Sequence, residues 1–173
     1  MFAFVTATLF PGSGTLAPLF AQTTAKNQVP ILKASTESLI EGTRVVLKIV
    51  AVKDNAMTEN DYSKPDSGNK FMSVQVIVDN TNGKDGWEIK PENLVLKDTE
   101  GNVYQPEGNT FGLVEVTKPT LKSGILDSGD LVKGWVTFQI GSTVDVKSAR
   151  LRYEQTLFES VKSGWLALSA VGK

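Results

Sequence analysis

A chain of 173 residues with 40% hydrophobic and 21% charged content is long enough to bury one real core, and disorder throughout does not fit it. Its 18 basic and 19 acidic residues are interleaved to a net charge of −1, so there is no basic stripe to neutralise phosphates, which argues against nucleic acid as a partner. With no Cys and no His, thiolate nucleophiles, disulfides, imidazole bases and nearly all zinc or copper sites are excluded.

Residues 1–21 carry no charge and are rich in Phe, Leu and Ala, after which Gln22 to Asn27 turn abruptly polar. This stretch reads as the apolar part of a signal peptide ending near Ala21, although the positively charged region that normally precedes it is missing. The alternative is an N-terminal arm, disordered or packed. No integral membrane span is expected, because Pro11, Gly12, Ser13, Gly14 and Pro18 break the run far short of about 18 residues. No Cys near Ala21 offers a lipid anchor. Residues 22–40 read as a linker or edge arm, with Pro30 discouraging regular structure and Val29, Ile31 and Leu32 able to form a short edge strand.

A single domain is expected over 41–173. Its first strand places Val45, Leu47, Ile49 and Ala51 on one face, alternating with Arg44, Val46, Lys48 and Val50. From Val52 to Lys70 turn formers dominate and predict a long exposed loop. Met72, Val74, Val76 and Val78 then alternate with polar residues, and Asn82-Gly83 marks a tight turn. Trp87 and Ile89 are expected to pack back across the core before Pro91 interrupts pairing. Leu94 and Leu96, the turn from Asp98 to Asn102, and Val103-Tyr104 predict a hairpin.

Residues 106–124 have room for one irregular strand. Residues 126–140 carry the clearest signal: a polar turn, then Val132, Gly134, Val136, Phe138 and Ile140 on one side with Lys133, Thr137 and Gln139 on the other. Ala149, Leu151 and Tyr153 predict a further strand, and residues 165–169 a last one. The one helical candidate, 157–162, is too short to bury a face. Strands separated by turn clusters, without helices between them, predict an all-β fold: an antiparallel immunoglobulin-like β-sandwich of about seven to nine strands.

Three segments together resemble a known pattern. Phe71 to Thr81 is similar to the strand and Asn-Thr turn of a bacterial extracellular immunoglobulin-like domain family of unknown function. Members are also labelled immunoprotective extracellular or telomeric-repeat-binding-factor-like domains. Leu94 to Tyr104 is similar to that family's next hairpin. Leu126-Asp127-Ser128-Gly129-Asp130 followed by Gly134-Trp135-Val136-Thr137-Phe138 is similar to its Leu-x-x-Gly turn and Gly-x-Val-x-Phe strand, with Ser128 where the family commonly has Pro. The resemblance covers about residues 42–153. It implies a secreted or surface-anchored sandwich that binds or scaffolds, and it carries over no catalytic residue.

Site candidates are few. Asp54, Glu59, Asp61 and Asp66, with Asn55 and Asn60, put hard oxygen donors on one loop, as calcium takes them, but the Asp-x-Asn-x-Asp spacing is absent, and Lys53, Lys64 and Lys70 offset the charge, so a solvated acidic loop is the stronger reading. Asp127, Asp130 and Asp145 with Ser128 have the groups that hydrolysis uses, yet they stand where turns favour Asp and Ser. Ser123, Ser128 and Ser163 near lysines lack the context of a Ser-Lys nucleophile. Tyr62, Phe111, Trp135 and Trp165 are candidate partner-binding aromatics, with Trp135 facing away from Val136 and Phe138.

These readings favour an exported, non-catalytic module binding a protein or a cell-surface polymer, located in the medium or at the cell surface. The alternatives are an assembly or chaperone-like subunit acting by strand pairing, a calcium-binding surface domain and, least favoured, a hydrolase. No cofactor is expected.

Overall fold

The computed structural model describes residues 35–56, 64–107, 117–155 and 161–171. Its centre is the pairing of the two longest strands, β3 (Asn69–Asp79) and β8 (Leu131–Gly141), antiparallel from Asn69 opposite Gly141 to Asp79 opposite Leu131. Outside them lie β2 (Val46–Lys53) and then β1 (Glu37–Leu39), which gives a first sheet in the order β1-β2-β3-β8. The strands β5 (Leu94–Lys97), β6 (Val103–Tyr104), β9 (Arg150–Gln155), β10 (Val161–Lys162) and β11 (Leu166–Ala167) make a second. In it β9 pairs with β5 and also with both β10 and β11. A two-stranded ribbon, β4 (Trp87–Ile89) with β7 (Gly124–Leu126), completes an all-β antiparallel sandwich.

Period-two alternation delivers one apolar face from each sheet to a shared core. Leu47, Met72, Val74, Val76, Phe138 and Ile140 of the first sheet join Leu94, Leu96, Leu151, Tyr153 and Leu166 of the second in one buried cluster. Each such side chain contributes about 1.5–3 kcal/mol by leaving water. Tyr153 is fully buried, packs on Trp87 with ring centroids 5.6 Å apart, and its hydroxyl accepts a hydrogen bond from Asn93 Nδ2 at 2.9 Å.

Several details depart from the pattern read in the sequence. A bulge in β2 between Ile49 and Ala51 inserts Val50 and reverses the parity beyond it. Ala51 therefore stands opposite Gln75 on the outer side, while Val52 stands opposite Val74 and packs on the core. Val52 and Lys53 belong to β2, Asn69 and Lys70 to β3, so the loop between them is shorter than expected, and Ala56 within it is buried against Phe71. Val161 and Lys162, assigned above to a helical candidate, are strand residues opposite Gln155 and Glu154. The described residues hold eleven strands, more than expected, because six have only two or three residues, too few to show a period of their own. Helical structure among them is limited to three short 3-10 turns, at Pro91–Asn93, Val146–Ser148 and Leu168–Ala170.

Gly134 has a definite cause. A Cβ there would lie 2.5 Å from both the Cα and the N of Leu121, so only glycine admits that backbone. The segment so admitted runs along β8: Trp135 N–H donates to Pro119 O at 2.8 Å, and Leu121 N–H donates to Trp135 O at 2.9 Å.

Candidate functional site

The Asn-Thr turn after β3 and the Leu-x-x-Gly turn before β8 meet on a buried asparagine. Asn80 is fully buried, and its Nδ2 donates to the carbonyls of Lys84, Leu126 and Asp127 at 2.9, 3.1 and 2.9 Å. Its main chain continues the junction: Asn80 N–H donates to Asp130 O, and Asn80 O accepts from Gly83 and Gly129. Gly83 is required here, since a Cβ would fall 1.7 Å from Asn80 Oδ1. The surrounding acids are tied to backbone amides. Asp127 Oδ1 accepts from Gly86 N, Asp85 Oδ1 from Ser128 N, and Asp130 Oδ2 from Asp127 N. The Thr81 hydroxyl first, then the Thr81 amide and the Lys48 ammonium, hold Asp79 below the usual carboxylate range.

A second network closes the β5–β6 hairpin. Asp98 Oδ1 accepts from the amides of Glu100 and Asn102, and Oδ2 from Asn102 Nδ2 and the Tyr104 hydroxyl, at 2.8 to 2.9 Å. Burial pushes the Asp98 carboxyl upward, but these four bonds outweigh it and leave it below its ordinary value. Burial and the neighbouring Asp98 push the Tyr104 hydroxyl up.

Those of the predicted site residues that are described do not gather at one place. Of the calcium candidates, Glu59 and Asp61 lie outside the described residues, as do the aromatics Tyr62 and Phe111. Asp54 is ion-paired with Lys70 at 3.0 Å. Asp66 Oδ2 accepts from Gln139 Nε2, and its N–H donates back to Gln139 Oε1. Among the described residues no three acidic side chains converge as a metal centre needs. Asp145 caps the turn at Val146–Ser148 by accepting from Lys147 N. Ser163 is buried, accepting from Tyr153 N and donating to Gly164 O. Trp135 is half-buried on the outer side of the first sheet, opposite Gln75. Trp165 has one face occupied, with the Arg152 guanidinium 4.4 Å from its ring centroid.

The edges of the first sheet are tied as well. On the β1 side, Ala167 N donates to Ser35 O, Glu41 N to Lys162 O, and Ile40 bridges Ser163. On the β8 side, Pro119, Leu121 and Glu107 bond to its main chain. These bonds flank β1 on either side of Glu37–Leu39 and line part of β8.

Sequence reasoning did not single out Asn80, although the Asn-Thr turn contains it. It also missed a cluster of cations on the outer side of the second sheet. Lys97 stands opposite Arg150, Val95 opposite Arg152, and Lys162 opposite Glu154. These residues come from three separate strands, so no local run announces them.

A family model described as a domain of unknown function, DUF4352, matches residues 40–162, most of the chain. The chain belongs to this family. The DUF4352 match spans the region in which the turn and strand motifs were read, and the Asn80 junction joins two of those motifs. No curated protein matches the chain in sequence. Among solved structures, a Bacillus subtilis protein provisionally assigned as a lipoprotein is 17% identical with a TM-score of 0.50, over 79% of this chain. The chain spans 38% of that protein's length, and the likeness is one of fold. The secreted protein MPT63 of Mycobacterium tuberculosis is 11% identical, with a TM-score of 0.47 over 68% of this chain and 79% of its own. A conserved hypothetical protein of Bacillus anthracis is 13% identical, with a TM-score of 0.41 over 75% and 97%. No helix among the described residues is long and apolar enough to cross a membrane.

Proposed function

We propose that this DUF4352 chain is an exported, non-catalytic immunoglobulin-like module that binds a protein partner or a cell-surface polymer through a sheet face. The observation that carries the reading is the division of labour among polar groups. Asp85, Asp98, Asp127, Asp130 and Asp145 accept from backbone amides, and the Ser163 hydroxyl is held inside. Acid and base catalysis needs groups within reach of a substrate proton, whereas these hold turns in place. Charged side chains such as Lys97, Arg150, Lys133 and Lys162 instead stand exposed on the sheets. Export is supported by the uncharged apolar stretch over residues 1–21 and by the fold likeness to the protein assigned as a lipoprotein.

Two measurements test the reading. The full chain produced in a bacterial host is expected in the medium or surface fraction, cleaved near Ala21 by N-terminal sequencing; an uncleaved cytoplasmic product overturns export. The purified protein is expected to co-sediment saturably with isolated cell envelopes. Linear, non-saturable recovery overturns specific binding.

A further inference from the structure

We propose that the outer face of the β5–β9–β11 layer is a docking surface for an acidic polysaccharide whose negative charges are carboxylates on the sugar rings. The proposal rests on the binding-module reading and names the ligand class for it.

Cross-strand register sets one row on this face: Val103, Lys97, Arg150 and Ala167. The next rows hold Val95 with Arg152, and Glu154 with Lys162. Four cations against the single carboxylate of Glu154 leave +3 here, on a chain whose net charge is −1. Lys97, Arg150 and Lys162 are exposed, and no ion pair among the described residues involves them; Glu154 is held by Arg152. Lys147 precedes the face on the 3-10 turn before β9, and Glu100 flanks it at the tip of the β5–β6 hairpin.

Like charges directly opposite one another across strands destabilise a sheet, so stability does not account for Lys97 against Arg150. An anionic partner does. Opposed residues stand about 5 Å apart, and a row across four strands runs about 15 Å, the length of a few sugar rings. The cations of the row are bounded by apolar Val103, 56% exposed, and Ala167, which suits a chain in which apolar ring faces alternate with charged groups. The Arg150 guanidinium is a planar fork matched to carboxylate. The positions are rigid, since Leu96, Leu151 and Leu166 on the reverse side are fully buried. Nucleic acid fits less well. Four cations are fewer than the 6–10 or so phosphate contacts of strongly salt-dependent binders, and Arg152 already covers one face of Trp165.

The test is isothermal titration of the full chain with polygalacturonate oligosaccharides at low and moderate salt, alongside a neutral maltooligosaccharide and a single-stranded oligonucleotide. Polygalacturonate is expected to bind, to weaken as salt rises, and to outcompete both other probes. The double variant Lys97→Gln/Arg150→Gln is expected to bind about tenfold more weakly or worse. Lys53→Gln/Lys133→Gln, which removes the same charge from the first sheet, is expected to leave binding unchanged. Lys162→Gln, a single surface change that keeps both strands of the central row, is expected to weaken binding by about threefold and reads the same face if the double variant does not fold. Absence of polygalacturonate binding, equal loss in the two double variants, or tighter binding of the oligonucleotide each overturns the proposal. If polygalacturonate fails while saturable envelope binding persists, the ligand class falls and the module reading stands. If both fail, both fall.

Discussion

On the outer side of the first sheet Lys48 stands opposite Glu37, with Nζ 4.0 Å from that carboxylate and 3.0 Å from Asp79, whereas on the second sheet Lys97 stands opposite Arg150, and neither has an ion pair among the described residues. Both are cross-strand pairs on solvated faces of one sandwich, and their cores are continuous. The first pair follows from stability alone, because opposite charges across strands contribute roughly 0.2–1 kcal/mol and like charges the reverse. The second runs against it. A stable fold tolerates such a pair because the core outweighs it many times over, so the arrangement points outward, to something the face meets.

The largest way to break the comparison is to remove the scaffold that both faces share. Asn80→Asp places a carboxylate among the carbonyls of Lys84, Leu126 and Asp127 and is expected to cost several kcal/mol; Asn80→Ala, which orphans them, is expected to cost about 2–3 kcal/mol by denaturant unfolding. Gly134→Ala sets a Cβ against the Leu121 backbone and is expected to cost about 1–3 kcal/mol, with loss of protection at the Leu121 amide in hydrogen exchange. Stability unchanged by substitution at either position would mean that these junctions do not hold the sandwich.

Acid titration sharpens the contrast more gently. Asp79 and Asp98 are held below the ordinary carboxylate value, so their contribution is fully present above the unfolded value near 4 and is lost as pH falls through their folded values. The melting temperature is expected to be flat from neutrality to about pH 5 on their account and to fall below about pH 4. Asp98→Asn is expected to flatten part of that fall. Protonation of Asp79 also removes the nearer carboxylate from Lys48, which brings the first face toward the condition of the second. The smallest effect concerns the second face itself: Lys97→Glu turns a like pair into an opposite one and is expected to raise stability by a few tenths of a kcal/mol. A loss of stability there would show that Lys97 already has a structural partner.

Long strands were legible because alternation over many residues is a repeated signal; Met72, Val74, Val76 and Val78 all reach the core as read. The bulge at Val50 was not, since Ala51 and Val52 are both apolar and either could face inward. The two-residue strands have no period to detect and exist because β9 and β5 offer open edges to them. The turn acids were legible as turn formers, while the individual bonds, such as Asp127 to the amide of Gly86, join residues 41 positions apart. Gly134 stood out in the sequence, but the cause, the Leu121 backbone, comes from a segment that showed no clear pattern.

By itself the sequence determined the all-β class, the inward faces of the long strands, the turn positions, and the chemistry closed to a chain without His or Cys, because these depend on local periodicity and on composition. Tertiary structure alone decided which distant groups became neighbours. It seated Asn80 between two turns and set Lys97 of β5 against Arg150 of β9, within one row that runs to Val103 and Ala167. A net charge of −1 with interleaved signs gives no hint of a positive face, since hydrogen-bond register between strands, not order along the chain, determines which charges share a surface.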